Sequence, residues 1–214
     1  MPTNWGSVGA VEPRRLRPMG TRRDGTEPQI QHGRIYLRPP EEEDVPLFVS
    51  WFNDWRTVRT LGRRAPMPRW AEERWFEGMS EWWGKSDYMF VSCLLEDDRV
   101  IGNCGLHELD LANGSAMLGI AIGRPEDRGK GYGTEVLRAL VGFGFDSLRL
   151  ERIWLDVYAI NPGARRVYER VGFVYEGTLR RSVFREGEYV DVIRMSILRD
   201  EWRALRSAGE AKPG

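Results

Sequence analysis

Arg128-Gly129-Lys130-Gly131-Tyr132-Gly133 is the stretch whose reading decides the fold. A β-rich run ending Gly119-Ile120-Ala121-Ile122-Gly123 leads into it, and an apolar segment of helical spacing over 132–148 leaves it. Glycines at alternate positions strip side chains from a turn that opens a helix. The bare backbone can then approach an anion, with N–H groups pointing outward at the positive end of the helix dipole. By physics this is a pyrophosphate cradle. By spacing it is not a P-loop, since no Gly-Lys-Ser/Thr follows four free positions after a first glycine. Nor is it the dinucleotide fingerprint, since Thr134 stands where the third glycine belongs. A glycine-rich turn that only passes a strand into a helix would look the same locally, so the rest of the chain must decide.

The length, 214 residues, suits one domain with a full core plus extensions. Positive and negative residues balance at 32 each, which argues against a general nucleic-acid binder. Cys93 and Cys104 fall in expected strands and read as small buried hydrophobes of a reducing compartment. The two histidines, His32 and His107, share no ligand spacing, so no metal is expected. No apolar run approaches the ~20 residues that span a bilayer, and the N-terminus lacks a signal-peptide core. A cytoplasmic protein without membrane contact is the expectation.

Residues 1–32 carry a cluster of arginines at 14, 15, 17, 22 and 23 and few apolar residues, and read as a flexible tail. Arg34–Arg38 alternates and stops at Pro39-Pro40, giving a first strand. Glu41–Asp44 loads negative charge on a helix start, and Leu47, Phe48, Trp51 and Phe52 follow at helical spacing. Arg69–Trp83 is a second helical stretch, rich in tryptophan. Its acidic stripe, Glu72, Glu73, Glu77 and Glu81, is either a solvated face or, beside a cleft, an attractor for a cationic substrate. From Tyr88 the period changes to two. Strands are expected at 88–95, 99–107 and 115–122, then after the glycine loop and its helix a parallel strand at 152–160. Asn161-Pro162 starts a helix that Gly172 ends, and strands at 173–179 and 188–198 follow. The domain is expected over 33–206, with a flexible tail over 207–214.

This order, with Arg128-x-x-Gly131-x-Gly133, resembles the GNAT family of N-acetyltransferases along residues 34–200. Asn161-Pro-Gly-Ala-Arg-Arg-Val-Tyr168-Glu-Arg-Val-Gly172-Phe173 resembles that family's Asn…Tyr…Gly-Phe segment. Glu176-Gly177-x-Leu179-Arg180 and Gly187-Glu188-Tyr189-x-Asp191-Val192-x-Arg194-Met195 resemble the tail shared by the RimJ/RimL-type and spermidine acetyltransferases. The resemblance implies an α/β fold with a mixed sheet of about seven strands, flanked by helices and splayed between the fourth and fifth strands. It implies acetyl-CoA in that splay, its pantetheine arm on the backbone of Ile120, Ala121 and Ile122. The pyrophosphate would rest on the N–H groups of Arg128, Gly129, Lys130, Gly131, Tyr132, Gly133 and Thr134, with Asn161 and Arg165 adding contacts. Tyr168 stands where the family carries the acid that protonates the departing thiolate. Oxyanion donors are expected near Gly119–Ala121. Many relatives place a glutamate base where this chain has Met117. His107 and Glu108, a water chain, and more weakly Asp156, are the candidates instead. The partners implied are acetyl-CoA and a primary amine, either a small cation such as a polyamine or a protein N-terminus, and a homodimer is left open. A non-catalytic acyl-CoA sensor on the same fold is the alternative that Met117 favours and Tyr168 opposes.

Overall fold

The computed structural model describes residues 27–62 and 65–210. In chain order, Ile30–His32 (β1) and Ile35–Arg38 (β2) form a hairpin, followed by the helices Val45–Phe52 (α1), Trp55–Val58 (α2), Arg69–Glu77 (α3) and Met79–Trp82 (α4). Tyr88–Leu94 (β3), Val100–Asp110 (β4) and Ser115–Ile122 (β5) then run as an antiparallel meander. Tyr132–Gly142 (α5), Arg152–Tyr158 (β6), Pro162–Val171 (α6), Val174–Arg185 (β7), Glu188–Leu198 (β8) and Arg199–Glu210 (α7) complete the chain. One eight-stranded sheet results, in the order β1-β2-β3-β4-β5-β6-β8-β7. Its parallel pair is β5 with β6, as a strand–helix–strand crossover through α5 requires.

The sheet has one strand more than expected. Gly33, at φ +59°, turns the chain so that Ile30 pairs with Leu37 and His32 with Ile35, which takes 30–32 out of the expected tail. The rest of that tail, 1–26, lies outside the described residues. At the other end α7 runs through Glu210, past the expected boundary at 206, and docks Trp202 on the core, where it is 7% exposed. The helix expected over 69–83 is two helices that meet at Gly78. The helix expected over 132–148 is regular only to Gly142 and widens into a π turn over Phe143–Ser147.

Each face of the sheet has its own core. Val136, Leu137, Leu140 and Val141 of α5 pack on Leu106, Leu118, Ile153, Leu155, Met195 and Ile197. Full burial stabilises each such side chain by about 1.5–3 kcal/mol, so α5, and the loop that opens it, is seated firmly. On the other face Phe48, Trp51 and Phe52 of α1 pack with Tyr36, Val91 and Cys93. Cys93 and Cys104 are buried and free, and burial pushes the Cys93 thiol up to about 11. The acidic stripe is not a uniform solvated face, because Glu72 is only 2% exposed and Glu73 is ion-paired with Arg69 at 2.7 Å.

Candidate active site

The parallel pair β5–β6 lasts for three residue pairs, Ser115–Arg152, Ala116–Ile153 and Met117–Trp154, and then the strands part. Each strand keeps its other neighbour: β5 stays on β4 to Ile122, and β6 stays on β8 to Tyr158. Beyond these pairs the inner edges of the V have no strand partner. Which groups face it follows from the alternation of a strand. Gly123 N–H donates to Ile101 O on β4, so counting back turns the backbone of Leu118, Ile120 and Ile122 toward β6. Leu118 N–H completes the last parallel pair on Trp154 O and Ile122 O accepts from Arg128, which leaves Leu118 C=O, Ile122 N–H and both groups of Ile120 toward the opening. Ala159 N–H donates to Asp191 O on β8, which turns Asp156 and Tyr158 toward it from the other wall. Of the expected pantetheine partners, Ile120 and Ile122 thus face the V, while the backbone of Ala121 and of Gly119 is turned to β4. Leu118 was missed. Its signal was in the sequence, since strand period two cannot aim three consecutive residues the same way.

The glycine loop closes one end of the V. Gly129 and Gly131 have φ of +75° and +88°, left-handed values that cost a side-chain-bearing residue about 1–2 kcal/mol. A Cβ on Gly129 would meet nothing within 4 Å, so the loop's outer surface is open. Arg128 N–H donates to Pro125 O and Thr134 N–H to Gly131 O, so neither is spare. Among the described residues the amides of 129–133 are left to receive a ligand, beside the N-terminus of α5. The Arg128 side chain, at the cleft's edge, is engaged with the protein as well. It donates to Arg56 O at 3.0 Å, Thr57 Oγ1 at 2.9 Å and Ile122 O at 3.1 Å, tying the loop to α2 and the end of β5.

Two further arginines hold the loop, and the sequence reading did not single them out. Arg34 donates to Lys130 O at 2.9 Å, pairs with Glu135 in the first turn of α5, and stacks on the Tyr132 ring at 4.5 Å. Arg99 holds both oxygens of buried Asp127, at 2.7 and 3.0 Å, and that hydrogen bonding keeps the Asp127 carboxyl below the usual range. Lys130 and Tyr132 thus face away from the cleft. Thr134 lines it, and its buried hydroxyl has no partner among the described residues.

The cleft has a volume of about 1020 Å³ and runs from this loop, between β5 and β6, to α6 and the hairpin residues Ser182 and Val183. Asn161 caps α6, its Oδ1 accepting from Ala164 N–H at 3.1 Å, and its amide nitrogen is left toward the cleft it lines. Tyr168, two turns on, also lines the cleft at 9% exposure. Its ring meets Phe173 edge-on, its hydroxyl has no hydrogen-bond partner among the described residues, and burial pushes the phenol up to about 12. A phenol so shifted stays a proton donor throughout the neutral range.

Arg165 is a correction. Its guanidinium is paired with Glu169 at 2.8 Å outside the cleft, which Gly163, Arg166, Val167 and Arg170 line instead. Those four are one helical face at i, i+3, i+4 and i+7, a spacing that distinguishes Arg166 from Arg165. Met117 and Asp156 also line the cleft. Asp156 is held by Arg194 at 2.9 and 2.8 Å. His107 and Glu108 lie on β4, beside the cleft and not in its wall. Glu108 is exposed at φ +50°, where the β4–β5 ladder is irregular. Glu72, Glu73, Glu77 and Glu81 are likewise not in the wall.

A strand pair that splays beside a glycine loop and a helix N-terminus, with a buried tyrosine in the wall, defines an acyl-CoA-binding fold. Residues 34–174 match the acetyltransferase (GNAT) domain family, and the chain belongs to that family. It is an N-acetyltransferase that uses acetyl-CoA and acts on an amine. The spermidine N(1)-acetyltransferase of Vibrio cholerae is 34% identical over 177 residues, covering 80% of this chain and 96% of that one. Its counterpart in Escherichia coli K12 is 31% identical over 179 residues, covering 79% and 89%. The crystal structure of spermidine N-acetyltransferase from Vibrio cholerae in complex with CoA and spermine superimposes with a TM-score of 0.74. It is 28% identical in that alignment and covers 79% of this chain and 98% of that chain. Among the described residues no helix is long and apolar enough to cross a membrane, and no cluster of His, Cys, Asp or Glu is placed to hold a metal ion.

Proposed function

We propose that the chain transfers the acetyl group of acetyl-CoA to a polyamine, with the thioester held at the apex of the V. The observation that carries this is the strand edge around Ile120, which has no strand partner beyond Met117 and Trp154 and faces β6 across the cleft, continuous with the glycine loop at one end and buried Tyr168 in the wall. An extended amide-bearing arm pairs with such an edge as an added strand does. The loop amides of 129–133 receive the pyrophosphate, and Arg166 and Arg170 supply positive charge along α6. The amine nitrogen attacks the thioester carbon and loses a proton. Ile120 N–H, the first β5 amide beyond the paired stretch that is turned toward the opening, is the donor toward the oxyanion. The carbon–sulfur bond then breaks, and Tyr168 gives its proton to the thiolate and regains one from water.

The acceptor class is supported by the spermidine acetyltransferases among the relatives. A second reading, a protein N-terminus, is favoured by one feature of the wall. Among the described residues its carboxylates are Asp127 and Asp156, and each is already paired with an arginine, so neither is spare for the distal ammonium of a polyamine. Release of free thiol from acetyl-CoA, measured against spermidine, spermine, an aminoglycoside and N-terminal peptides, decides between them. Turnover with spermidine at a kcat/KM well above the peptides supports the first reading, and the reverse ranking the second. No turnover with any amine would leave acyl-CoA binding as the function.

A further inference from the structure

On the sheet face opposite α5, His107, Met117, Trp154 and Ser196 form one registered row across β4, β5, β6 and β8. The next row toward the opening is Gly105 and Gly119, then, across the split, Asp156 and Arg194. His107 stands where these rows meet the apex of the V. Its Nδ1 lies 2.9 Å from Oδ1 of Asp87, in the turn before β3. Asp87 is fixed in turn, since Ser86 Oγ donates to its other oxygen and Gly84 N–H to its carbonyl. A carboxylate only accepts, so Nδ1 carries the hydrogen, and in the neutral ring Nε2 is then the nitrogen with the lone pair.

Two glycines make room for the far edge of the ring. A Cβ on Gly119 would stand 3.2 Å from Nε2, and one on Gly105 2.9 Å from it. A Cβ at Gly105 would also meet the Tyr88 carbonyl at 2.6 Å, and one at Gly119 would press the ring by a few tenths of an ångström. Gly119 itself lines the cleft, two residues beyond the last β5–β6 pair, and the His107 side chain is 26% exposed. An imidazole nitrogen therefore lies over the strand residue beside which the thioester carbon and the amine must meet. Charged groups placed near the ring are Glu108, next on its own strand, Lys85 in the turn that carries Asp87, and the Asp156–Arg194 pair in the next row on β6 and β8. Met117 beside it is uncharged.

We propose that His107 is the general base of the transfer and that Asp87 is its positioning residue; this rests on the acetyl-transfer reading above. The step balances within the chain. As the nitrogen–carbon bond forms, the amine proton passes to Nε2. As the carbon–sulfur bond breaks, the thiolate takes the Tyr168 proton. The imidazolium then releases one proton to water and the phenolate recovers one.

The test is kcat/KM for the best acceptor as a function of pH, in the wild type and in His107→Ala, His107→Gln and Asp87→Asn, with acetyl-CoA affinity and thermal unfolding measured alongside. Both His107 variants are expected to lose roughly 10²–10⁴-fold at neutral pH, the usual worth of a positioned base. The loss should shrink as pH rises and free amine accumulates, while acetyl-CoA affinity holds. Added imidazole should restore part of the activity to His107→Ala, whose vacated cradle over Gly105 and Gly119 has its shape, and not to His107→Gln. Asp87→Asn should displace the acid limb of the profile. Wild-type kcat/KM in a folded His107→Ala overturns the proposal, as does a loss that neither pH nor imidazole moves. A wild type that releases no thiol with any amine overturns the transfer reading and this proposal with it, whereas transfer unaffected by the variants overturns the base alone.

Discussion

Replacing Tyr168 with phenylalanine removes one oxygen from the cleft wall and nothing else. The ring keeps its edge-on contact with Phe173 and its place against the core. The lost hydroxyl has no protein partner among the described residues, so the native state gives up no hydrogen bond. The stability change near neutral pH is expected to stay within about 0.5 kcal/mol, below the usual net worth of a hydrogen bond. Catalysis is another matter. A positioned acid contributes about 10²–10⁴-fold, and water can replace part of it, so kcat is expected to fall roughly ten- to a thousandfold, about 1.4–4 kcal/mol of barrier. Acetyl-CoA affinity is expected to hold, because the phenol matters only once sulfur gains charge. A second readout uses titration. Burial pushes the folded phenol up to about 12, above its ordinary value of 10.0. The folded state thus holds the proton more tightly than the unfolded chain. This contribution is complete below the ordinary value and is lost as pH rises through the folded one. Wild type should therefore lose stability over that window more steeply than Tyr168→Phe. Tyr36, also pushed up by burial, acts equally in both and drops out of the difference. Steady-state and single-turnover kinetics, calorimetric titration with acetyl-CoA, and unfolding from pH 9 upward test the whole. A variant with full single-turnover rate refutes the acid role, and one that has lost acetyl-CoA affinity makes the hydroxyl a binding group.

Three further substitutions probe the loop. Gly131→Glu should abolish acetyl-CoA binding by calorimetry with circular dichroism unchanged, since it sets a carboxylate at the phosphate site on a residue at φ +88°. Arg128→Ala leaves the carbonyls of Arg56 and Ile122 and the Thr57 hydroxyl without their charged donor. It should weaken acetyl-CoA binding and lower stability by about 0.5–1.5 kcal/mol, since charge-assisted bonds from an exposed cation are screened by solvent, read by denaturant unfolding. Asp127→Asn removes a carboxylate whose folded value lies below its unfolded one, a contribution present above the unfolded value and lost as pH falls through the folded value. The variant should be less stable at neutral pH, and its stability should fall less steeply on acidification below about pH 4, followed by acid unfolding.

Much of the fold was legible because local rules and the global answer agree. The alternation of Arg34–Arg38, the change of period at Tyr88 and the Asn161-Pro162 helix start each point to one element, and each is there. The misses fall where tertiary contacts overrule local signal. Ile30–His32 is too short and polar to announce a strand, and it forms one because Gly33 folds it back on β2. The stretch after Ser207 looks like a tail by composition, yet it prolongs a helix that Trp202 anchors to the core.

The site was legible in its backbone and opaque in its side chains, for a physical reason. A ligand held by N–H groups demands glycines at fixed offsets, and offsets are visible in a sequence. The side chains that brace such a loop answer to distance in space. Arg34 and Glu135 are 101 positions apart, and Arg128 and Thr57 are 71 apart. No motif can join them. His107 belongs to the same class. As an isolated histidine at a strand end it carried no signal beyond proximity. Its meaning comes from Asp87, from the β4–β5 register that sets Gly105 opposite Gly119, and from the point where β5 leaves β6. Each of those is a property of pairing. Met117, read in the sequence as the loss of a base, fits the same register differently. Its row puts it between His107 and Trp154, where a carboxylate would compete with Asp87 for the imidazole proton.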